Sequence, residues 1–362
     1  MNPLAYFAAL NRLEKLTPLR FARLLAYFED DPAEIWHGGQ SAWREAGIEQ
    51  AAVSELFATK QDIDPEATFA ELTKIGATVL PITSDSYPIL LKEIYAPPPV
   101  LLVRGTFPAP ADRHAIAVVG SRVTTPYGRQ AATAFARDLA AAGVTIVSGL
   151  ATGVDAIGHQ AAVHAGTRTV AVLGCGIDQI YPYQNQQLAE DILAKGGAII
   201  SEYPIGTAPS AYNFPQRNRI IAGLSRGVLV VEGREKSGSL ITAELALEYG
   251  REVFAVPGSI FAETSAGPNR LIRDGARPVQ TAADILDTLQ LGDITQQEQI
   301  QQIIPDSPEE GTLLAVLTRE PQHADELTRR VDQPAASVGA VLSLLEMKGL
   351  VQNLGGNQWV RR

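Results

Sequence analysis

Residues 115–128 read AIAVVGSRVTTPYG, and this stretch decides the fold. Its first five residues are apolar, and the run ends at Gly120 in a turn that leads into a helical pattern from residue 127. A short apolar run that ends in a glycine-containing turn is typical of a strand buried on both faces. The stretch therefore predicts a strand, a turn and a helix.

The same alternation of strand and helix continues through residues 114–290. The predicted strands are residues 116–119, 145–147, 169–173, 198–200, 228–231 and 253–256. The predicted helices are residues 127–142, 155–165, 185–195, 215–224, 239–249 and 281–290. Strands that alternate with helices in this way form a parallel sheet with helices on both faces. The predicted fold class is α/β, an extended Rossmann-like doubly wound parallel sheet.

Two further regions precede this sheet. Residues 1–80 contain short helical patterns and predict a helical, SAM-like domain. Residues 77–104 predict an extended connector, because the three consecutive prolines at 97–99 exclude a helix. Within that connector, residues 100–103 are apolar and predict an edge strand.

The C-terminal region predicts a linker and a small domain. Residues 291–308 are polar and rich in glutamine, which is typical of a linker. Three helical patterns then precede a hairpin that turns at Gly355-Gly356, and this is the order of a winged helix. The three helices are expected at residues 309–318, 323–330 and 335–348. The predicted domains are therefore 1–80 (helical), 81–290 (Rossmann-like), 291–308 (linker) and 309–362 (winged helix).

Composition excludes several classes of protein. The single cysteine, Cys175, excludes a disulfide framework within the chain, and five scattered histidines offer no metal-ligand spacing. No charge-free window of 18 apolar residues occurs, so we expect no membrane partner and a cytoplasmic protein. The net charge of −10 argues mildly against nucleic-acid binding. Residues 212–277, however, carry 9 basic against 7 acidic residues, so overall charge does not decide the question.

The loops that follow the predicted strands carry the candidate chemistry. In an open parallel sheet, ligands bind outside the carboxyl ends of the strands, and small residues there let backbone N–H groups approach an oxyanion. Charge for binding phosphate comes from Arg122, Arg217, Arg219 and Lys236. Several such loops side by side suit a polyanion better than one nucleotide. Phe214, beside a basic loop, is a candidate for base stacking or for the core.

Other patterns in these loops do not support a bound cofactor or metal. The sequence Gly174-Cys175-Gly176 lacks the third glycine of a dinucleotide site, and residues 233–239 (GREKSGS) do not match a P-loop. Asp155 and His159 stand one helical turn apart. They are candidates for catalysis or for structural hydrogen bonds, and the sequence leaves both open. We expect no cofactor.

Taken in order, these segments resemble one family. The strongest matches are VSGLATGVDAIGH (147–159), AVLGCGIDQIYPYQN (171–185), NFPQRNRIIAGLS (213–225) and VLVVEGREKSGSLITAELALEYGREVFAVPG (228–258). Residues 80–280 resemble the DNA-processing protein A family (DprA, also called Smf). Val154 and Gly158 depart from the usual pattern by small changes only.

The resemblance implies a cytoplasmic, non-enzymatic protein that binds single-stranded DNA through its Rossmann-like domain. It also implies a homodimer that protects incoming DNA and helps to load RecA recombinase during natural transformation. Carried over by motif, the implied DNA contacts are Gly120, Ser121, Arg122, Ser148, Gly149, Arg217, Asn218, Arg219, Lys236, Ser237, Gly238 and Ser239. Phe214 as a stacking residue is our addition from its neighbourhood.

One enzymatic alternative shares a similar core: the nucleoside-monophosphate phosphoribohydrolases of the LOG group. Their catalytic glutamate follows a PGGxGT motif, and here Glu244 follows the loop 232–239. The PGG sequence is absent, and such an enzyme would not explain the basic residues at 217–219. In the predicted winged helix, the third helix is nearly uncharged, which favours protein contact or packing over binding to duplex DNA.

Overall fold

A computed structural model of the chain describes residues 2–291, 308–318, 321–331, 333–347 and 351–361. Two compact units are present, Met1–Leu291 and Gly292–Arg362. The predicted linker falls almost entirely on residues 292–307, which lie outside the described residues. No helix among the described residues is long and apolar enough to cross a membrane.

The first unit is built on a nine-stranded sheet. Its spatial order is β1-β2-β6-β5-β4-β3-β7-β8-β9. The strands are β1 (Ala77–Pro81), β2 (Val100–Gly105), β3 (Ala115–Val119), β4 (Thr145–Ser148), β5 (Thr169–Val172), β6 (Ala198–Ser201), β7 (Gly227–Val230), β8 (Glu252–Ala255) and β9 (Arg277–Pro278). The six strands predicted from apolar runs are all present, and they are β3 to β8. Within this group, every pair of neighbouring strands is parallel. The predicted α/β class is confirmed.

The connector prediction needs a correction. Residues 77–81 and 100–105 are two antiparallel strands of the sheet, and β2 also pairs antiparallel with β6. The edge strand is therefore β1, and β2 lies inside the sheet. The apolar residues 100–103 are fully buried because both of their neighbours are strands.

Helices cover both faces of the sheet. One face carries α8 (Pro126–Ala141), α9 (Val154–His164), α10 (Gln186–Ala194) and α14 (Ala282–Thr288). The other carries α7 (Ile89–Lys92), α11 (Asn213–Leu224), α12 (Gly238–Glu248) and α13 (Ala266–Arg273). Each layer buries an apolar cluster against the sheet, which is why the strands read as continuous apolar runs.

The N-terminal helices mostly begin at prolines, where the missing N–H group costs no hydrogen bond. They are α1 (Pro3–Asn11), α2 (Pro18–Tyr27), α3 (Pro32–His37), α4 (Gln40–Glu45), α5 (Gln50–Lys60) and α6 (Pro65–Lys74). Asn2, Thr17, Asp31 and Asp64 cap four of them by accepting hydrogen bonds from backbone N–H groups. Their apolar residues share one core with β1 and β2, so the helical region packs directly on the sheet.

The second unit has the winged-helix order predicted from the sequence. It contains α15 (Pro308–Val316), α16 (Ala324–Val331) and α17 (Ala335–Met347), and a hairpin of β11 (Val351–Gly355) and β12 (Gln358–Arg361). A short strand, β10 (Gln322–His323), which the sequence did not indicate, pairs with β12. Gly355 and Gly356 have φ values of 88° and 59°, which explains why glycines occupy the turn.

Candidate nucleic-acid interface

A cleft opens at the point where the direction of strand winding reverses. β3 lies between β4 and β7, and the loops that follow β3 and β7 leave the sheet in opposite directions. Such a switch point is where doubly wound sheets bind ligands. The cleft has a volume of about 770 Å³. Its lining includes Gly120, Ser121, Arg122, Asp155, Tyr181, Phe214, Arg217, Asn218, Arg234, Lys236, Ser237, Gly238 and Ser239.

The buried carboxylate of Glu232 connects the loop that follows β3 to the loop that follows β7, beside this cleft. Glu232 is 1% exposed and accepts hydrogen bonds from the backbone N–H of Thr125 (3.0 Å) and from its hydroxyl. The hydroxyl of Thr264 lies 3.3 Å from the same carboxylate. Gly128 sits so close to Glu232 that a Cβ there would collide with the carboxylate. Glu232 therefore holds the start of α8, and with it the loop of Arg122, against the loop that follows β7.

Backbone N–H groups at the start of α12 also face the cleft. Ser237 caps this helix, and its hydroxyl lies 2.9 Å from that of Ser239. The amide of Asn218 donates to the carbonyl oxygen of Gly238 at 3.3 Å, which connects α11 to this helix start. A helix N-terminus favours an anion because its first N–H groups lack partners within the helix.

Two cations in the cleft are available to a ligand. Arg122 and Lys236 are exposed, and neither forms an ion pair with any residue that the structure describes. Arg234, at the same rim, pairs with Glu263 at 3.1 Å, but both side chains are about three-quarters exposed. Exposed pairs of this kind are weak, so Arg234 is open to exchange its partner for a phosphate.

Arg217 supports the floor of the cleft. It is 4% exposed and donates to the carbonyl oxygens of Gly149 (2.9 Å) and Val172. Asp155 accepts a hydrogen bond from the backbone N–H of Gly149 at 3.1 Å. Arg217 and Asp155 therefore bind the carbonyl oxygen and the N–H group of the same glycine. Burial lowers the pKa of Arg217 and raises the pKa of Asp155, and each charge partly offsets the shift of the other. The Nε of Arg217 is buried and has no hydrogen-bond partner among the described residues.

Arg219, another predicted DNA contact, lies at the carboxyl end of a strand as expected, but that strand is β6 and Arg219 does not line the cleft. Its guanidinium binds the carboxylate of Glu202 through two hydrogen bonds of 2.8 and 2.6 Å. The two side chains are only 12% and 14% exposed. Arg219 lies two residues after Arg217 on α11, so the helix turns it toward the end of β6 and away from the cleft.

The predicted contact through Ser148 is also corrected. Ser148 is fully buried, and its hydroxyl donates to the carbonyl oxygen of Val118 at 2.6 Å, within the sheet. Gly149 instead lines a smaller cavity of about 90 Å³ that adjoins the cleft. Ser148 therefore connects strands, and only the residues after it approach the site.

His159 has a structural environment. Its Nδ1 lies 2.7 Å from the hydroxyl of Thr169, which itself donates to the carbonyl oxygen of Ile146 at 2.6 Å. The Thr169 oxygen must therefore accept, so Nδ1 carries the proton. Burial, with the charge of Arg217 added, lowers the pKa of His159 to about 3. A neutral, buried histidine hydrogen-bonded to a strand favours the structural role over catalysis.

An aromatic pair lies at the rim. Phe214, half-buried in the first turn of α11, stacks with Tyr181 at 5.5 Å between ring centroids and an interplanar angle of 26°. The guanidinium carbon of Arg122 lies 5.3 Å from the centroid of the Phe214 ring. Sequence reasoning gave Tyr181 no role and placed Glu232 only as a loop residue. Neither role could be found from sequence, because both depend on partners distant in the chain.

Glu244, the residue on which the enzymatic alternative depends, lies away from the cleft. Glu244 is about half exposed on α12 and pairs with Arg270 at 3.2 Å, and it does not line the cleft. Among the described residues, no group of three or more histidine, cysteine, aspartate or glutamate side chains could hold a metal ion.

Comparison with known proteins agrees with this geometry. Residues 78–290 match the sequence model of the family described as DNA recombination-mediator protein A. The chain belongs to this family. Residues 297–357 also match the model described as the DprA winged helix domain. The family match covers the whole cleft, and the second match covers the C-terminal unit.

Individual members of the family show the same likeness. The chain is 37% identical to Protein Smf of Escherichia coli over 358 residues, or 93% of each chain. It is 48% identical to DNA processing protein DprA of Bacillus subtilis over 214 residues, which are 59% of this chain and 72% of that protein. Family membership makes this chain a DNA-processing protein.

Two solved structures of family members are similar. DprA from Streptococcus pneumoniae matches with a TM-score of 0.69 and 36% identity, over 79% of this chain and 98% of that one. DprA from Helicobacter pylori, described for its single-stranded DNA binding mode, matches with a TM-score of 0.53 and 31% identity. That match covers 59% of this chain and 95% of the other.

Proposed function

We propose that this chain binds single-stranded DNA in the cleft at the switch point, through residues 81–290. The observation that carries the proposal is that two exposed cations, Arg122 and Lys236, and the N-terminus of α12 line the same cleft. Cations and backbone N–H groups bind the phosphates of a strand, and the aromatic pair of Phe214 and Tyr181 at the rim can stack on unpaired bases. The single-stranded DNA binding described for the Helicobacter pylori relative supports the same reading.

The wider role that we propose is that of a mediator. The chain would act in the cytoplasm as a homodimer that protects incoming single strands and helps to load RecA recombinase onto them in natural transformation. The family description as a recombination mediator supports this role. The protein would act by binding and not by catalysis, since its charged cleft residues are arranged to contact an anion.

Binding is tested by fluorescence anisotropy with a labelled single strand and the matching duplex. We expect tighter binding to the single strand at about 50 and about 200 mM salt, with affinity that falls as salt rises. Equal affinity for duplex and single strand would contradict the proposal. The mediator role is tested separately, by whether the protein speeds RecA filament formation on a coated single strand.

A further inference from the structure

Tyr181 occupies a boundary between two cavities. It lines both the main cleft and the adjoining cavity of about 90 Å³. Its side chain is 45% exposed, although it stacks on Phe214. One face of the Tyr181 ring packs on Phe214, and the rest of the ring is open to the charged cleft. Exposure of this apolar surface to water costs free energy, and a ligand that stacks on the ring would recover it.

The loop that carries Tyr181 is held at both ends. The amide of Asn185 donates to the carbonyl oxygens of Leu150 (2.8 Å) and Ala151 (3.3 Å), which lie beside the cleft floor. On the other side, Gln179 donates its amide to the carbonyl oxygen of Thr207 at 3.1 Å. The ring of Tyr181 is therefore placed before any ligand arrives, which lowers the entropy lost on binding.

Phe214 is less open than Tyr181. Its ring is contacted by Tyr181 and by the guanidinium of Arg122. It also packs against the backbone at Gly174, where a Cβ would lie 2.8 Å from the Phe214 Cδ1. A base that approached Phe214 would compete with these contacts, whereas a base on the free part of Tyr181 would leave them in place.

We propose that Tyr181 provides the surface on which a base of the bound strand stacks, and that Phe214 supports its ring from behind. This inference rests on the proposed function. The phosphate next to that base would lie toward Arg122, which shares both cavities with Tyr181. Stacking on a single ring reads no base edge, so the subsite accepts any base.

The test compares a thymidine oligomer with an oligomer of the same length whose sugars carry no bases. Both are titrated by anisotropy against the full chain and the Tyr181→Ala variant. We expect the variant to bind the thymidine oligomer about tenfold more weakly, since base stacking on one aromatic contributes on this scale. Its affinity for the abasic oligomer should change less than about twofold, and its salt slope should stay the same because no charge is removed.

Two further variants make the readout specific. Tyr181→Trp should bind the thymidine oligomer at least as tightly as the unaltered protein, because a larger ring stacks as well. Tyr95→Ala is the matched control, since Tyr95 is also an exposed tyrosine. It follows Ile94, which packs against Gly223 near the end of α11, at the far end of the helix from Phe214. The Tyr95→Ala variant should bind the thymidine oligomer and the abasic oligomer as tightly as the unaltered protein does.

Three results would overturn the inference. Equal loss of affinity for both oligomers would show that Tyr181 acts through the fold or through phosphate. No loss for either oligomer, with the unaltered protein binding normally, would remove Tyr181 from the site and leave the proposed function standing. A folded, unaltered protein that binds neither oligomer would overturn the proposed function as well.

Discussion

The backbone of Gly153 lies against the carbonyl oxygen of Ser121, so closely that a Cβ at residue 153 would collide with it. The next residue, Val154, donates its N–H to that same oxygen at 3.1 Å, and the hydroxyl of Thr152 donates to the carbonyl oxygen of Arg122 at 3.1 Å. The start of α9 thus holds the loop that carries Arg122. The position of the cleft's free arginine depends on a distant glycine with a φ of 79°.

Gly153→Ala should therefore displace the Arg122 loop. We expect the free energy of unfolding to fall by about 2–4 kcal/mol, the sum of a left-handed backbone and a steric overlap. The control is Gly166→Ala, whose φ is 71° but whose Cβ would meet no atom within 4 Å. Urea denaturation should show a cost of about 1–2 kcal/mol for the control. Equal costs for both variants would contradict the close approach of Gly153 to Ser121.

Arg122→Ala and Lys236→Ala should each weaken single-strand binding about equally for different sequences, because contacts to phosphate carry no sequence information. Each should reduce the slope of log affinity against log salt by roughly 0.7 for every phosphate that the variant no longer binds. The measurement is anisotropy over a range of salt concentrations. Arg137→Ala is the matched control, since this exposed arginine pairs with its neighbour Asp138. Unchanged affinity in both cleft variants, with the fold intact by circular dichroism, would reject this cleft.

Arg219→Ala should affect stability and not binding. Removal of the guanidinium leaves the carboxylate of Glu202 nearly buried without its partner, and we expect a loss of about 2–4 kcal/mol in the free energy of unfolding. Affinity of the folded protein for a single strand should change less than about twofold, since the ion pair lies outside the cleft. Chemical denaturation and anisotropy on the same preparation measure the two effects. A large loss of affinity with unchanged stability would place Arg219 in the interface.

His159 should make the protein less stable in acid. Its pKa is about 3 in the folded protein and about 6.5 in the unfolded chain, so the unfolded state binds a proton first as the pH falls. The stability that neutral His159 contributes is complete above about pH 6.5 and is lost progressively toward pH 3, by a few kcal/mol. Asp155 acts in the opposite direction, because its raised pKa lets the folded state take up a proton first.

The measurement is the free energy of unfolding between about pH 7 and 5, a range that lies above the ordinary range of carboxyl titration. His159→Gln should be less stable than the unaltered protein at pH 7, since the hydrogen bond to Thr169 changes. It should also show a flatter dependence on pH over this range. An unchanged slope would mean that His159 titrates alike in the folded and unfolded states.

Removal of the C-terminal unit tests whether the first unit alone contains the DNA-binding site. The first compact unit ends at Leu291, which is buried, and the whole cleft lies within it. A protein that ends at Leu291 should fold and bind single-stranded DNA within a few-fold of the full chain. Circular dichroism and anisotropy provide the comparison. A folded truncated protein that has lost most of its affinity would place a major DNA-binding surface in the C-terminal unit.

Much of the fold could be predicted from local patterns. The six apolar runs became strands and the helices between them formed within a few residues of the expected bounds, because burial on both faces leaves a signal in each run itself. The role of β2 could not be predicted in this way. An apolar run looks the same at the edge and in the interior of a sheet, and only its pairing with β1 and β6 distinguishes the two.

For the candidate site, the sequence by itself determined which loops share one edge of the sheet. Parallel strands bring their carboxyl ends to one edge, so Arg122, Arg217 and Lys236 were expected at the same edge once the strands were assigned. Only the tertiary structure decided which of the charges are free. Arg217 is buried against Gly149 and Arg219 is bound to Glu202, whereas Arg122 stays open. The physical reason is that desolvation and charge pairing depend on partners distant in the chain, which no local pattern records.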